Sequence, residues 1–213
     1  MTETANPRLH LTILGASGAV GQELVRQALD RGHTVTAVAR NSSRLPVDDR
    51  PTLHTVVGDV HHPETLAAAF ANSDVVVSAL GVRKGEQSGV LVAGARAIAH
   101  AAPPRVVWLG AFGTGPSAAA AGAVTRTLLG LVLKKELPDK VAADQKILDL
   151  GGTVVHVGPL KAGPVSISRR SLDAGAVPRR LFPAGITRAT VAAALLDEAE
   201  QSTSRGLRVV LSS

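Results

Sequence analysis

The sequence predicts an α/β fold: a single doubly wound parallel sheet with helices on both faces. Short β-rich apolar runs alternate with segments of helical spacing along the chain, and parallel strands need helical crossovers that cover both sides of the sheet. A glycine-rich loop over residues 15–21 sits between the first such strand and the first such helix. The 213 residues suit one domain with a sizeable core and leave no room for a second.

Residues 9–14 alternate and are β-rich. After the glycine loop Val20, Leu24, Val25, Ala28 and Leu29 recur at helical spacing until Gly32 stops the helix. Strands are predicted at 33–39, 52–57 and 74–80, with a helix over 63–71 between the last two. A helix over 90–102 carries Leu91, Ala95, Ile98 and Ala102 on one face, ends before Pro103-Pro104 and feeds a strand at 105–109. A helix over 140–150, stopped by Gly151-Gly152, leads to a strand at 153–157 that Gly158-Pro159 closes. The last pair is a helix over 187–200, with Thr187 as N-cap, and a strand at 207–211. Residues 161–185 show no clear periodicity and read as the substrate or lid region.

Aromatic residues are only 2% of the chain, with no Tyr and one Trp, so the core is built from small aliphatic side chains. The absence of Cys excludes disulfides, thiolate catalysis and Cys-ligated zinc, and fits a cytoplasmic location. Residues 1–8 are polar, contain Pro7 and read as a flexible tail rather than a signal peptide. The most apolar stretch, 118–133, is interrupted by Arg126 and falls short of the roughly 18 to 20 residues that span a bilayer, so no membrane association is expected. It is open as a buried helix, a pocket wall or a dimer face, and with it the choice between monomer and homodimer.

The net charge of +6 fits a polyanion or a phosphorylated cofactor. Arg169, Arg170, Arg179 and Arg180 form the densest basic cluster, but no aromatic residue is interleaved for base stacking. The cluster therefore reads as a solvated or phosphate-facing loop, and no nucleic-acid partner is expected. No metal is expected either, because His61-His62 lacks companions at ligand spacing.

Gly15-Ala16-Ser17-Gly18-Ala19-Val20-Gly21 is G-x-x-G-x-x-G placed directly after a strand and opening a helix. Such glycines let the backbone come close to a pyrophosphate, and the helix N-terminus attracts the anion. NAD binders place an Asp or Glu at the end of the second strand to accept from the ribose 2′-hydroxyl. Here that strand ends in Ala39-Arg40-Asn41-Ser42-Ser43-Arg44. Two guanidinium groups and serine hydroxyls suit a 2′-phosphate, so NADP(H) is the expected cofactor. Asp59, in Gly58-Asp59-Val60, either accepts from the adenine amino group or forms an Asx-turn or cap leading to Pro63. Ser78-Ala79-Leu80-Gly81 ends the fourth strand at the edge where open sheets bind ligands.

These residues resemble the atypical short-chain dehydrogenase/reductase superfamily, and within it the NmrA-like group that includes NADPH-dependent flavin reductase, also called biliverdin-IXβ reductase. The likeness rests on residues 39–46, on Val56-Val57-Gly58-Asp59-Val60 and on Leu80-Gly81-Val82-Arg83. It implies a Rossmann-like fold and an NADP(H) site using Gly15, Ser17, Gly18, Val20, Arg40, Ser43, Arg44, Asp59, Val60, Leu80 and Gly81. Ala19, Gly21, Val82 and the strand ends Leu109-Gly110 and Val157-Gly158-Pro159 complete the candidate cofactor contacts. The catalytic half departs from the pattern. Leu109-Gly110-Ala111-Phe112 stands where such reductases place a Ser or Thr, and Pro159-Leu160 stands where the flavin reductase has Pro-His.

Members of the wider superfamily use Tyr-x-x-x-Lys, in which the Lys lowers the Tyr pKa for proton donation. This chain keeps only Ala142-x-x-x-Lys146, which makes Lys146 the candidate catalytic residue at the nicotinamide ribose, or else an exposed helix lysine. Losing the acid forfeits about 100- to 10,000-fold for an ordinary ketone. A conjugated acceptor such as a flavin, quinone or tetrapyrrole can delocalise charge and take its proton from solvent. Among other candidates, His10, His33, His54 and His100 lie at element ends and read as solvated, while His156 reads as a core residue. Lys161 reads as a solvated lysine or a contact to an acidic substrate group. Three functions remain open: a reductase of a conjugated acceptor, a non-catalytic NADP(H) sensor, and an enzyme using the fold for a non-redox step.

Overall fold

The computed structural model describes residues 8–44, 49–82, 89–115, 117, 136–177, 184–201 and 205–212. Strand β1 (His10–Leu14) leads through the glycine loop to helix α1 (Ala19–Asp30), then come β2 (Thr34–Ala39), β3 (Leu53–Val57), α2 (Ala67–Ala71) and β4 (Val75–Ser78). Helix α3 (Val90–Ala101), β5 (Val106–Ala111), α4 (Leu137–Asp149) and β6 (Thr153–Val157) follow. The chain then adds short strands β7 (Leu160–Lys161), β8 (Arg170–Asp173) and β9 (Ile186–Thr187), helix α5 (Arg188–Glu200) and β10 (Gly206–Leu211).

The main sheet has the order β3-β2-β1-β4-β5-β6-β10-β8. Its pairings are parallel except β10 with β8. The strand order reverses between β1 and β4, and the crevice beyond the carboxyl ends at such a switch point is where open α/β sheets bind ligands.

Strand alternation sorts the core into two layers. On one face Leu11, Ile13, Val75, Val77, Val107 and Val155 meet Leu24 and Ala28 of α1 and Leu195 and Leu196 of α5. On the other, Leu14, Val76, Trp108 and Val154 meet Leu91 and Ile98 of α3 and Ala143 and Ile147 of α4. The single Trp fits because α3 is small where it passes: a Cβ on Gly94 would lie 2.6 Å from Leu80 Cδ1 and 3.4 Å from Trp108 Cη2.

The expected strands and helices that fall on described residues are present, and the result is a Rossmann-like single domain. The aperiodic region 161–185 is not simply a loop. Its described part holds the antiparallel edge strand β8, and the two-stranded sheet of β7 and β9 brackets it. Two-residue strands carry no period, and β8 is a polar edge strand, so neither shows an apolar alternation.

One histidine and the basic cluster also need correction. His33 is 1% exposed rather than solvated, held by Glu200. Arg169 forms a two-pronged ion pair with Asp197 at 2.7 and 3.1 Å, and Arg170 lies exposed in β8. Arg179, Arg180, residues 1–7 and the apolar stretch 118–133 lie outside the described residues. No helix of the described residues is long and apolar enough to cross a membrane.

Candidate functional site

A cleft of about 510 Å³ opens at the carboxyl edge of the sheet, across the switch point. The glycine loop forms its floor. Gly15 takes φ +75°, a left-handed conformation that side chains disfavour, and a Cβ there would sit 3.0 Å from the Ala79 carbonyl oxygen. A Cβ on Gly21 would lie 2.1 Å from the Gly15 carbonyl oxygen. The outer glycines are therefore demanded by the close packing of loop, helix and strand. Gly81 differs: nothing lies within 4 Å of its Cβ position, and the cleft wall there stays open to close approach.

Helix N-termini at this edge are not equivalent. The first amides of α3, Leu91 and Val92, donate to the Asp139 carboxylate at 3.2 and 3.0 Å. At the start of α5, Thr187 accepts from the Thr190 amide. Gly18 caps α1 without a side chain, and the first turn of α1 holds no acidic residue. Of these three helices, the N-terminus left open to an anion is the one the glycine loop serves.

At the end of β2 the chain turns through a 3₁₀ segment, Ser42–Arg44. The Ser43 amide and hydroxyl both donate to Asn41 Oδ1, at 2.9 and 2.7 Å. Ser43 thus shapes the turn without lining the cleft, while Arg40, Asn41 and Arg44 all face it. Asp59 serves its local turn: its Oδ1 accepts from the His61 amide at 3.0 Å, and Gly58 and Val60 line the cleft in its place.

Of the expected contacts, Gly15, Ser17, Gly18, Ala19, Val20, Arg40, Arg44, Val60, Leu80, Gly81, Val82 and Leu109 line the cleft. Gly21, Ser43, Asp59, Gly110, Lys146, Val157, Gly158 and Pro159 do not. Lys146 is half-buried in α4 and does not line this cleft. Helix α4 runs antiparallel to the strands, with Asp139 at the cleft edge and Lys146 in its last turn, about 10 Å further along at 1.5 Å per residue. The helix buries Ala143, Asp144 and Ile147 instead.

Gly110 has a different partner. It stands opposite His156 in the β5–β6 register, and a Cβ on it would lie 2.4 Å from His156 Cδ2. Hydroxyls do follow β5, but they turn inward. Thr114 Oγ1 donates to the Ala111 carbonyl at 2.8 Å, and Ser117 Oγ lies 2.7 Å from His156 Nδ1.

The cleft wall also carries Ala39, Asn41, Gly58 and Ala79 from the segments the sequence named, and Leu14, Val38, Val90, Leu160 and Arg188, which were not expected as contacts. Most of these adjoin residues the sequence named. Arg188 has its own signal: it is the first residue of α5, where the helix dipole disfavours a cation by about 0.3–1 kcal/mol, and such a local conflict marks functional positions.

The fold and the cleft define a dinucleotide-binding protein of the Rossmann type. A family described as NAD(P)H-binding matches residues 15–202, so the chain belongs to that family. Among solved structures, a short-chain dehydrogenase/reductase from Veillonella parvula in complex with NADP superposes with a TM-score of 0.79 at 20% identity, covering 96% of this chain and 94% of that one. The anaerobillin reductase ChuY from Escherichia coli O157:H7 gives 0.73 at 17% identity, over 95% of this chain and 97% of that one.

Sequence relatives match shorter stretches. The photosystem II assembly factor Ycf39 of Synechocystis is 33% identical over 35% of this chain and 23% of its own length. A 3-beta-hydroxysteroid dehydrogenase of Mycolicibacterium neoaurum is 44% identical over 30% of this chain and 17% of its own. The chain thus spans less than a quarter of the length of these two relatives.

The donor set fits NAD(P)(H), with glycines that allow backbone approach and an uncapped α1 N-terminus. Arg40 and Arg44 replace the carboxylate that would select a free 2′-hydroxyl.

Proposed function

We propose that this protein is an NADPH-dependent reductase of a flat conjugated acceptor of the flavin, quinone or tetrapyrrole kind. One observation carries the reading: the charged residues on the cleft wall, among those described, are Arg40, Arg44 and Arg188, with no carboxylate, His or Tyr beside them. Such a wall holds a phosphorylated dinucleotide but presents no side chain able to hand over a proton near neutral pH.

Arg40 and Arg44 hold the 2′-phosphate, and the first amides of α1 hold the pyrophosphate. Gly81 lets the backbone approach, and Leu109 and Leu160 form an apolar wall at the far end that keeps water from the ring faces. The bound cofactor supplies a hydride. The acceptor spreads the added charge over its conjugated system and draws its proton from solvent, so the protein's task is orientation. The described residues 161–177, which follow Leu160, are the expected acceptor side.

The test is loss of NADPH absorbance with riboflavin, a quinone and biliverdin as acceptors, beside binding titrations of NADPH and NADH. Turnover with NADPH preference is expected. Tight NADPH binding without turnover on any acceptor would replace this reading with a redox sensor or a non-redox enzyme.

A further inference from the structure

Arg188 stands apart from the other two cations of the cleft. Arg40 and Arg44 lie at the end of β2, and along the edge come β1, β4 and β5 in turn. Three strand spacings of about 4.8 Å put the β5 end ~14 Å away. Helix α5 packs beside α1 and across β4, β5 and β6, so Arg188 enters the cleft from the far side, where Leu109 and Leu160 also line it. Its backbone thus lies about three strands away from that of the two arginines expected to hold the 2′-phosphate.

The backbone fixes its place. Leu160 and Lys161 pair with Ile186 and Thr187, the Ile186 amide donates to the Pro159 carbonyl at 2.9 Å, and Thr187 Oγ1 donates to the Pro164 carbonyl at 2.8 Å. Arg188 follows at once as the first residue of α5. Its guanidinium makes no hydrogen bond or ion pair with any of the described residues, whereas Arg31 and Arg169 are both ion-paired. Lys161, the cation the sequence suggested for this end, is exposed and does not line the cleft.

We infer that Arg188 is the specificity-determining residue of the acceptor site, and that the acceptor is a flat ring system bearing a carboxylate or phosphate arm. The inference rests on the reductase reading. Leu109 and Leu160 take the ring face, and Arg188 takes the anion, which a guanidinium grips with paired donors.

The experiment compares FMN with riboflavin, which share one ring and differ in a phosphate. Each is titrated by flavin fluorescence into the full chain saturated with NADP⁺, for the wild type, Arg188→Gln and Arg188→Lys. The wild type is expected to bind FMN about tenfold more tightly than riboflavin, with a preference that shrinks at high salt. Arg188→Gln is expected to lose the preference while NADP⁺ and riboflavin affinities stay unchanged, and Arg188→Lys to keep part of it.

Equal binding of FMN and riboflavin by the wild type would overturn the inference. So would an Arg188→Gln variant that weakens NADP⁺ and keeps the FMN preference, since Arg188 would then hold the pyrophosphate. Failure of the reductase reading looks different: flavin preference intact, with no NADPH oxidation.

Discussion

His156 Nε2 lies 2.9 Å from Asp144 Oδ2 in a site that solvent does not reach. The carboxylate also accepts from Trp108 Nε1 at 3.1 Å. On the other side of the ring, Ser117 Oγ stands 2.7 Å from His156 Nδ1 and accepts from the Gly113 amide at 2.9 Å. Each side-chain donor of this His156 network has an acceptor, so β5, β6, α4 and the turn after β5 are joined by a satisfied buried network. Asp144→Ala leaves two buried N–H groups without an acceptor and should cost on the order of 3 kcal/mol. Urea unfolding would show it as a lower midpoint with an unchanged slope. A loss under ~1 kcal/mol would mean that water replaces the carboxylate.

The same histidine accounts for the missing hydroxyl at the end of the fifth strand. Gly110 faces His156 so closely that a Cβ would meet the ring at 2.4 Å. Gly110→Ser, which restores the residue type that similar reductases carry, should destabilise by about 1–3 kcal/mol through overpacking. Combined with His156→Ala, it should cost less than the sum of the two single changes, because the ring it strikes is gone. A double-mutant cycle in urea reads that coupling, and strict additivity would break the link between the two positions.

Cofactor choice should follow Arg40 and Arg44. The 3₁₀ turn, pinned by the Asn41 side chain, holds both arginines on the cleft wall. Replacing each with Ala removes charged hydrogen bonds to the 2′-phosphate, so the double variant should lose about 10- to 100-fold in NADPH affinity and almost nothing for NADH. Calorimetric titrations with both nucleotides measure this. An equal loss for both would move the two arginines to the pyrophosphate.

The cofactor half was legible because local chemistry dictates it. The alternation of Leu11 and Ile13, the helical spacing of Leu24 and Ala28 and the glycines between them each report on their own neighbourhood. Arg40 and Arg44 are four residues apart on one turn. The rest depends on distant segments. Ser117, Asp144 and His156 lie on three separate segments with no spacing to connect them, and Leu160 is brought near the start of α5 by pairing with Ile186 in two-residue strands. Lys146 shows the converse. Its spacing from Ala142 fits the motif, but whether it reaches the cleft depends on how α4 crosses the sheet, which local spacing does not report.

Acid stability should be set in part on the opposite side of the molecule. Glu200 Oε1 accepts from Arg31 at 2.8 Å and from His33 Nε2 at 3.0 Å, and the Leu9 amide donates to His33 Nδ1, so the ring proton sits on Nε2. Burial alone would raise the Glu200 carboxyl, but the hydrogen bonds from His33 and Arg31 and the Arg31 charge outweigh it and hold it below its ordinary range. A carboxyl whose pKa is lower in the folded state contributes stability that is fully present above the unfolded value, about 4.3, and is lost as pH falls through the folded one. Glu200→Gln should therefore be less stable than the wild type near neutral pH, and the gap should close below about pH 4.3 as the wild-type carboxylate is protonated. Urea midpoints for both proteins across that range decide the matter. A gap that stays constant with pH would mean that Glu200 acts by packing, and that its charge contributes nothing to holding α5 against α1.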